Sequence, residues 1–243
     1  MMKFCLMYHD VFFQTPSESG LASDMYKISV ELFERQIIKV CELEKSNPGS
    51  IILTFDDGGS SFYSPISQIL DKYSLKGYFF IATKYIGTSG FLTKEQIVDI
   101  DKRGHYIGSH SYSHPENITS LPDNEMNEEW ARSVMDLEEI VGHKVIIASI
   151  PNGYQSNKVL EAIRKANIKD VYTSKPTCKQ RQYKGISLKG RFVVLDGMTD
   201  DDIVNLINSK RKRQLLLLKW RILNVVKLIL GNKYEVVKQK IFG

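Results

Sequence analysis

Two adjacent carboxylates and two histidines four positions apart are the residues of this 243-residue chain whose types and spacing can do chemistry. Asp56 and Asp57 end the run Ile51-Ile52-Leu53-Thr54-Phe55, whose β-branched and aromatic content is that of a buried strand, and Gly58-Gly59 follow. Side chains alternate faces along a strand, so both carboxylates reach one cavity only where the strand loosens into the Gly turn. Two like charges so close raise each other's pKa unless a cation stands beside them. An Asp-Gly turn with one carboxylate capping a helix would also account for the pair. About fifty residues on, the segment 108–115 reads G-S-H-S-Y-S-H-P. On a helical turn ended by Pro115, His110 and His114 fall on one face, close enough to share one ion. With a carboxylate from another strand end they make a two-His, one-carboxylate set with open coordination positions, suited to zinc and also to iron. The second carboxylate favours hydrolysis, in which a base is needed beside the water.

These residues need a scaffold, and the surrounding pattern supplies one. A strand is expected at Met2–Tyr8, a polar loop at Gln14–Lys27, and a helix capped by Ser29 and running to about Lys45. After the Asp pair, apolar spacing predicts a helix at Tyr63–Tyr73, a strand at Tyr78–Ala82, a helix at Lys94–Lys102 and a strand at His105–Gly108. Further on come a helix at Asp123–Val141, a strand at Val145–Ser149, a helix at Asn157–Ala166 and a strand at Val171–Ser174. Pro176–Gly190 is polar, Arg191–Leu195 is a last plausible strand, and Asp200–Ser209 starts as a capped helix. Strands alternating with helices imply βα units around a parallel sheet, an α/β fold in which chemistry gathers at the C-terminal strand ends. His9, Asp56–Asp57 and His110–His114 all occupy that position.

Composition narrows the class. With 25% charged and 42% hydrophobic residues the chain is an ordinary globular one, long enough for a full core. Net charge is +5, but Ser209–Gly243 holds ten Lys/Arg against one acid, so the preceding body is mildly acidic. Nucleic acid is therefore not implied, and any anionic partner would meet the tail. Cys5, Cys41 and Cys178 are too few and too scattered for a disulfide framework or a zinc-type pair and read as buried, reduced thiols. The short run Phe4–Tyr8 is no secretory signal, and a cytoplasmic location is expected. The tail alternates Leu, Trp and Ile with Lys and Arg, too interrupted to span a bilayer. It reads either as an interfacial helix on the anionic inner face of the membrane or as a helix packed on the acidic body.

Thr54-Phe55-Asp56-Asp57-Gly58 and His110-Ser111-Tyr112-Ser113-His114 resemble the polysaccharide deacetylase family, the NodB homology domain of carbohydrate esterase family 4, over most of Lys3–Ser174. The resemblance implies a distorted (β/α) barrel over 1–208, with parallel strands and outer helices, followed by the basic tail 209–243. It implies Asp56 as catalytic base and Asp57, His110 and His114 as ligands of a divalent metal, Zn2+ being expected. Pro151-Asn152-Gly153 is similar to the family's Pro-aromatic-Gly turn, which makes the Asn152 N–H an oxyanion donor. Two departures stand out: no arginine precedes Pro151 to pair with Asp56, and no histidine follows His143 to serve as the late acid. The early Tyr8-His9 resembles the exopolysaccharide-deacetylase subgroup, in which that histidine supplies the acid. The function implied is metal-dependent removal of an N-acetyl group from an amino sugar in a polysaccharide, oligosaccharide or lipid-linked glycan. A relative that keeps the fold and binds a glycan or a partner without catalysis is the alternative, and an iron enzyme a third.

Overall fold

The computed structural model describes residues 3–16 and 19–230, with side chains of the last helix described to 226. Met2 of the expected first strand, residues 17–18 of the polar loop and 231–243 of the basic tail lie outside the described residues. The chain opens with β1 (Phe4–Tyr8), the short pair β2 (Val11–Phe12) and β3 (Ile28–Ser29), and α1 (Val30–Ser46), whose first turn is capped by Ser29. Next come β4 (Ile51–Phe55), α2 (Gln68–Lys72), β5 (Gly77–Ile81), α3 (Lys94–Lys102) and β6 (Tyr106–Ser109). They are followed by α4 (Asp123–Val141), β7 (Ile147–Ser149), α5 (Asn157–Lys165), β8 (Asp170–Thr173), β9 (Arg181–Tyr183), β10 (Ile186–Gly190) and β11 (Phe192–Val193). Two helices, α6 (Asp200–Asn208) and α7 (Lys210–Leu230), close the described chain.

The main sheet has the order β11-β1-β4-β5-β6-β7-β8-β10-β9 and is parallel throughout except where β9 meets β10. β10 and β11 stand near opposite ends of that order, yet only Arg191 separates Gly190 from Phe192 in the chain. One residue spans about 3.8 Å. The sheet must therefore curl until its ends meet, and it does so as a barrel pinned at Arg191.

Alternation along the strands divides the core in two, as a parallel sheet covered on both faces requires. Leu6, Leu53, Phe55, Phe79 and Ile107 face outward onto Phe33, Ile37, Ile97 and Ile100 of the helices. Cys5, Ile52, Phe80, Ile147 and Tyr172 face inward and fill the barrel. The outer layer is the larger, and it holds the strand ends rigid where the site is built.

Three sequence expectations fail locally. The Tyr63–Tyr73 helix is regular only over α2, because Ser64, ahead of Pro65, is extended (φ −145°, ψ 121°). The polar stretch Pro176–Gly190 contains the β9–β10 hairpin, made of residues whose polarity hid the strand period. Of the three free cysteines only Cys5 is buried; Cys41 and Cys178 are half-buried.

Candidate active site

Backbone pairing continues past the strand ends and carries the chemical residues with it. The Asp56 N–H donates to the Tyr8 carbonyl, Ala82 N–H to the Asp57 carbonyl and His110 N–H to the Ile81 carbonyl. The ends of β1, β4, β5 and β6 are thereby locked side by side. Asp57 then takes φ +93°, followed by Gly58 at φ +93°. A non-glycine residue at such φ is strained by roughly 1–3 kcal/mol, a conformation that persists where function uses it. Here it turns the Asp57 carboxylate to the same side as that of Asp56.

His110 and His114 converge on that carboxylate, though by another route than a helical turn. Ser111 (φ +62°) and His114 (φ +52°) are both left-handed, so 110–114 is an irregular loop rather than the expected helix. The loop is fastened from α4: Ser113 donates from its N–H to Glu129 Oε2 at 2.9 Å and from its hydroxyl to Glu129 Oε1 at 2.6 Å. Ser109 Oγ and Ser133 Oγ share a hydrogen bond at 2.8 Å, and the Ser111 hydroxyl accepts from His114 N–H. In the result, Asp57 Oδ1 stands 3.4 Å from Nε2 of both His110 and His114.

These three side chains fit a divalent metal. Their ligand atoms lie within 4.8 Å of one another. His110 Nδ1 is 2.9 Å from the Ser149 carbonyl, an acceptor only, so the proton sits on Nδ1 and the Nε2 lone pair faces the carboxylate. The donor set is two imidazoles and one carboxylate, the chemistry of a zinc or iron centre. Burial pushes the Asp57 carboxyl up, but hydrogen bonding and charge from the histidines outweigh it and leave it well below the usual range. His110 is held above its ordinary value against burial by Asp56 and Asp57, whereas burial wins at His114.

Asp56 has a different neighbourhood. Arg191, buried at 1% exposure, donates from Nη1 to Asp56 Oδ1 at 2.6 Å and from Nη2 to Oδ2 at 2.7 Å. Its remaining donors reach Thr54 Oγ1, Ser149 Oγ and the Thr173 carbonyl, so each of the five guanidinium N–H groups has an acceptor. Ser149 Oγ also donates to Asp56 Oδ2 at 3.0 Å, and His110 Nε2 is 3.9 Å away. Burial raises the Asp56 carboxyl; the Arg191 and His110 charges override it, and the group stays below the ordinary carboxylate range. The two carboxylates are thus separated by role, one facing imidazoles and the other a bidentate guanidinium.

The sequence of residues 44–171, just over half of the chain, matches the polysaccharide deacetylase family. The chain belongs to that family. Among curated relatives, the Bacillus subtilis protein YxkH is 28% identical over 156 residues, which are 64% of this chain and 55% of that protein. The peptidoglycan-N-acetylmuramic acid deacetylase PdaA of the same organism is 28% identical over 127 residues, 51% of this chain and 46% of that one. The chain therefore spans about half the length of these relatives. Among solved structures, the Streptococcus pyogenes deacetylase PplD in complex with acetate superposes with a TM-score of 0.73 at 21% identity, over 86% of this chain and 99% of that one. IcaB from Ammonifex degensii gives 0.69 at 21% identity, over 86% and 97%. At that identity these structures show the fold, the curled parallel sheet of this family, and nothing finer.

For this polysaccharide deacetylase family member the arginine is not missing. Arg191 supplies the partner of Asp56 from the barrel seam, 135 residues along the chain, where the expectation looked only before Pro151. The available signal was a charge opening an apolar strand, Arg191-Phe192-Val193-Val194, since a buried charge needs a partner. His9 follows β1 and its Nδ1 is buried without a hydrogen-bond partner. Burial lowers its pKa, while the Asp57 and Asp56 charges work in the other direction. Pro151–Gly153 is a tight turn directly after β7, with Asn152 left-handed at φ +53° and its Nδ2 donating to the Glu116 carbonyl. His105 and His143 stand elsewhere: His105 accepts from Gly77 N–H at the start of β5, and exposed His143 pairs with Asp101.

Proposed function

We propose that the chain is a metal-dependent hydrolase that removes an N-acetyl group from an amino sugar of a glycan, releasing acetate. The observation that carries this is the division of labour at one strand end: Asp57 faces two imidazoles while Asp56 is held ionised by Arg191. Asp57, His110 and His114 are the proposed metal ligands, with zinc as the ion, and a metal held there supplies Lewis-acid polarisation of the acyl carbonyl and of water. Asp56 accepts the proton of the attacking water, kept unprotonated for that task by the guanidinium. The Asn152 N–H, in the turn closed by Pro151 and Gly153, is the proposed donor to the oxyanion. His9, whose pKa burial lowers against the raising charges of Asp57 and Asp56, is the proposed donor of a proton to the departing amine. What supports hydrolysis over iron-dependent oxidation is the second carboxylate and its dedicated arginine, which an oxygenase site has no use for. The same feature counts against a non-catalytic relative, since a retired site need not keep a buried charge pair.

Purification without added metal, followed by plasma mass spectrometry of the protein and of Asp57→Ala, tests the centre. Near-stoichiometric zinc that disappears in the variant, with acetate release from N-acetylated saccharides, is expected. Iron in its place would redirect the chemistry. No metal after soaking with zinc would return the chain to the non-catalytic alternative.

A further inference from the structure

α7 has two opposite apolar faces, and the barrel uses one of them. On the inward side Lys212 Nζ donates to Asp202 Oδ1 at 2.7 Å, and the Arg213 guanidinium donates to the Leu206 and Ile207 carbonyls while lying 5.1 Å from the Phe4 ring. Leu216 packs into the outer core, and the Trp220 ring stands 5.8 Å from Lys175 Nζ. Positions 213, 216 and 220 recur at helical spacing and define the docked face. At 100° per residue, Leu215, Leu218, Ile222 and Val225 fall on the other side, and they are 58, 53, 57 and 55% exposed. The other exposed large apolar side chains of the described residues are scattered singly over separate elements. Arg211, Lys219 and Arg221, all exposed, surround the outward stripe. Lys210–Leu230 carries seven Lys/Arg and no acid.

We propose that this outward face lies on an anionic lipid surface, with the helix in the plane of the headgroups. The four apolar side chains enter the boundary with the acyl chains and the surrounding cations meet lipid phosphates. Charge selects lipid over a second copy: two such stripes face to face would bring Arg211 and Arg221 of each helix together, and Lys210–Leu230 holds no carboxylate to answer them. Lying on the surface, not crossing it, fits the seven cations that interrupt the helix, and no helix of the described residues is long and apolar enough to span a membrane. Because the inward face is fastened to α6 and β1, the barrel would travel to the surface with the helix. None of this depends on the catalytic proposal.

Co-sedimentation of the full chain with vesicles of phosphatidylcholine alone, or mixed with phosphatidylglycerol, tests it. Wild type is expected to partition onto the anionic vesicles, about tenfold or more above the neutral ones and decreasingly as salt rises. Leu218→Glu/Ile222→Glu is expected to lose about tenfold or more of that partitioning. Arg211→Gln/Lys219→Gln keeps the apolar stripe and is expected to flatten the salt dependence with a loss of roughly tenfold. Equal pelleting of wild type with both vesicle types, or of wild type and both variants with anionic ones, would overturn the proposal. So would a light-scattering shift from dimer to monomer in the first variant with vesicle binding unchanged, which would assign the stripe to a second copy.

Discussion

At the scale of single residues, the proposed chemistry turns on the buried Arg191–Asp56 pair. Breaking a buried ion pair from one side strands the other charge, a loss of about 3–5 kcal/mol. Arg191→Met is therefore expected to destabilise the fold on that scale in urea unfolding. Asp56 is depressed in the native state, so its contribution is present above the unfolded carboxylate pKa and is lost as pH falls through the folded value. Without the guanidinium the Asp56 pKa rises, and the acidic limb of the pH–rate profile for acetate release should move to higher pH. A profile that stays in place in a folded variant would remove Asp56 from the role of base. Asp10 has the opposite sign. It accepts from Ser19 Oγ at 2.6 Å and Ser61 Oγ at 2.7 Å through one oxygen, while Oδ2 is buried without a partner. Burial lifts it to about 6 against those two hydrogen bonds. Its stabilising contribution is complete below the unfolded value near 4 and is lost as pH climbs through about 6. Asp10→Asn should flatten that decline, roughly 3 kcal/mol between pH 4 and 7; matching slopes for the two proteins in denaturant titrations would refute it. Asp56, Asp57, His110 and His114 were legible in the sequence because each pair is local and its spacing is itself the signal. Arg191 and the Asp10 cluster were not: Arg191 meets Asp56 only through the curl of the sheet, and Asp10 meets Ser61 only because β1 pairs with β4, with Ser19 folded in from the loop after β2.

At the scale of elements, α4 acts as the backing plate of the histidine loop. The sequence periodicity predicted its bounds at Asp123–Val141, and the structure keeps them, but periodicity says nothing of what its polar face holds. Glu129 holds Ser113 through two hydrogen bonds and so sets the path between the two histidines. Partners that orient metal-ligating groups are worth about 10–100-fold in affinity. Glu129→Ala is expected to weaken zinc binding by about tenfold in competition titrations, with the far-UV spectrum unchanged, and Glu129→Gln to recover part of it. Equal affinities across the three proteins would show that the loop holds itself. Besides the polar β9–β10 hairpin, two elements escaped sequence reasoning through backbone conformation: left-handed Ser111 and His114 deny a helix to 110–114, and extended Ser64 breaks the helix expected over 63–73. Both exceptions arise from φ and ψ values that apolar spacing does not encode.

At the scale of the whole molecule, the barrel closes through one residue and is covered beside that closure by the helix that follows it. β11 pairs with β1 and β10 with β8, so Arg191 joins the two flanks of the curled sheet and presents its side chain to the Asp56 carboxylate in the same stroke. α7 docks nearby through Arg213 at Phe4, Leu216 in the outer core and Trp220 beside Lys175, a loop residue whose carbonyl accepts from Arg191 N–H. We propose that 1–208 is nevertheless a self-sufficient catalytic unit, because the interior of the barrel and every site residue precede α6. A chain ending at Ser209 should then fold, but it forfeits the burial of Leu216 and the bonds of Arg213 to the α6 carbonyls, together about 2–4 kcal/mol. For a chain of this size that is a fall in melting temperature of about 5–15 °C. Its turnover in acetate release should stay within about twofold of the full chain, since the Arg191 side chain is anchored by Asp56, Thr54, Ser149 and Thr173 and, among the described side chains, by none on α7. Melting that is unchanged would mean the docked face contributes nothing to stability. Retained folding with turnover reduced a hundredfold would instead mean that α7 holds the seam, and through it the charge state of Asp56.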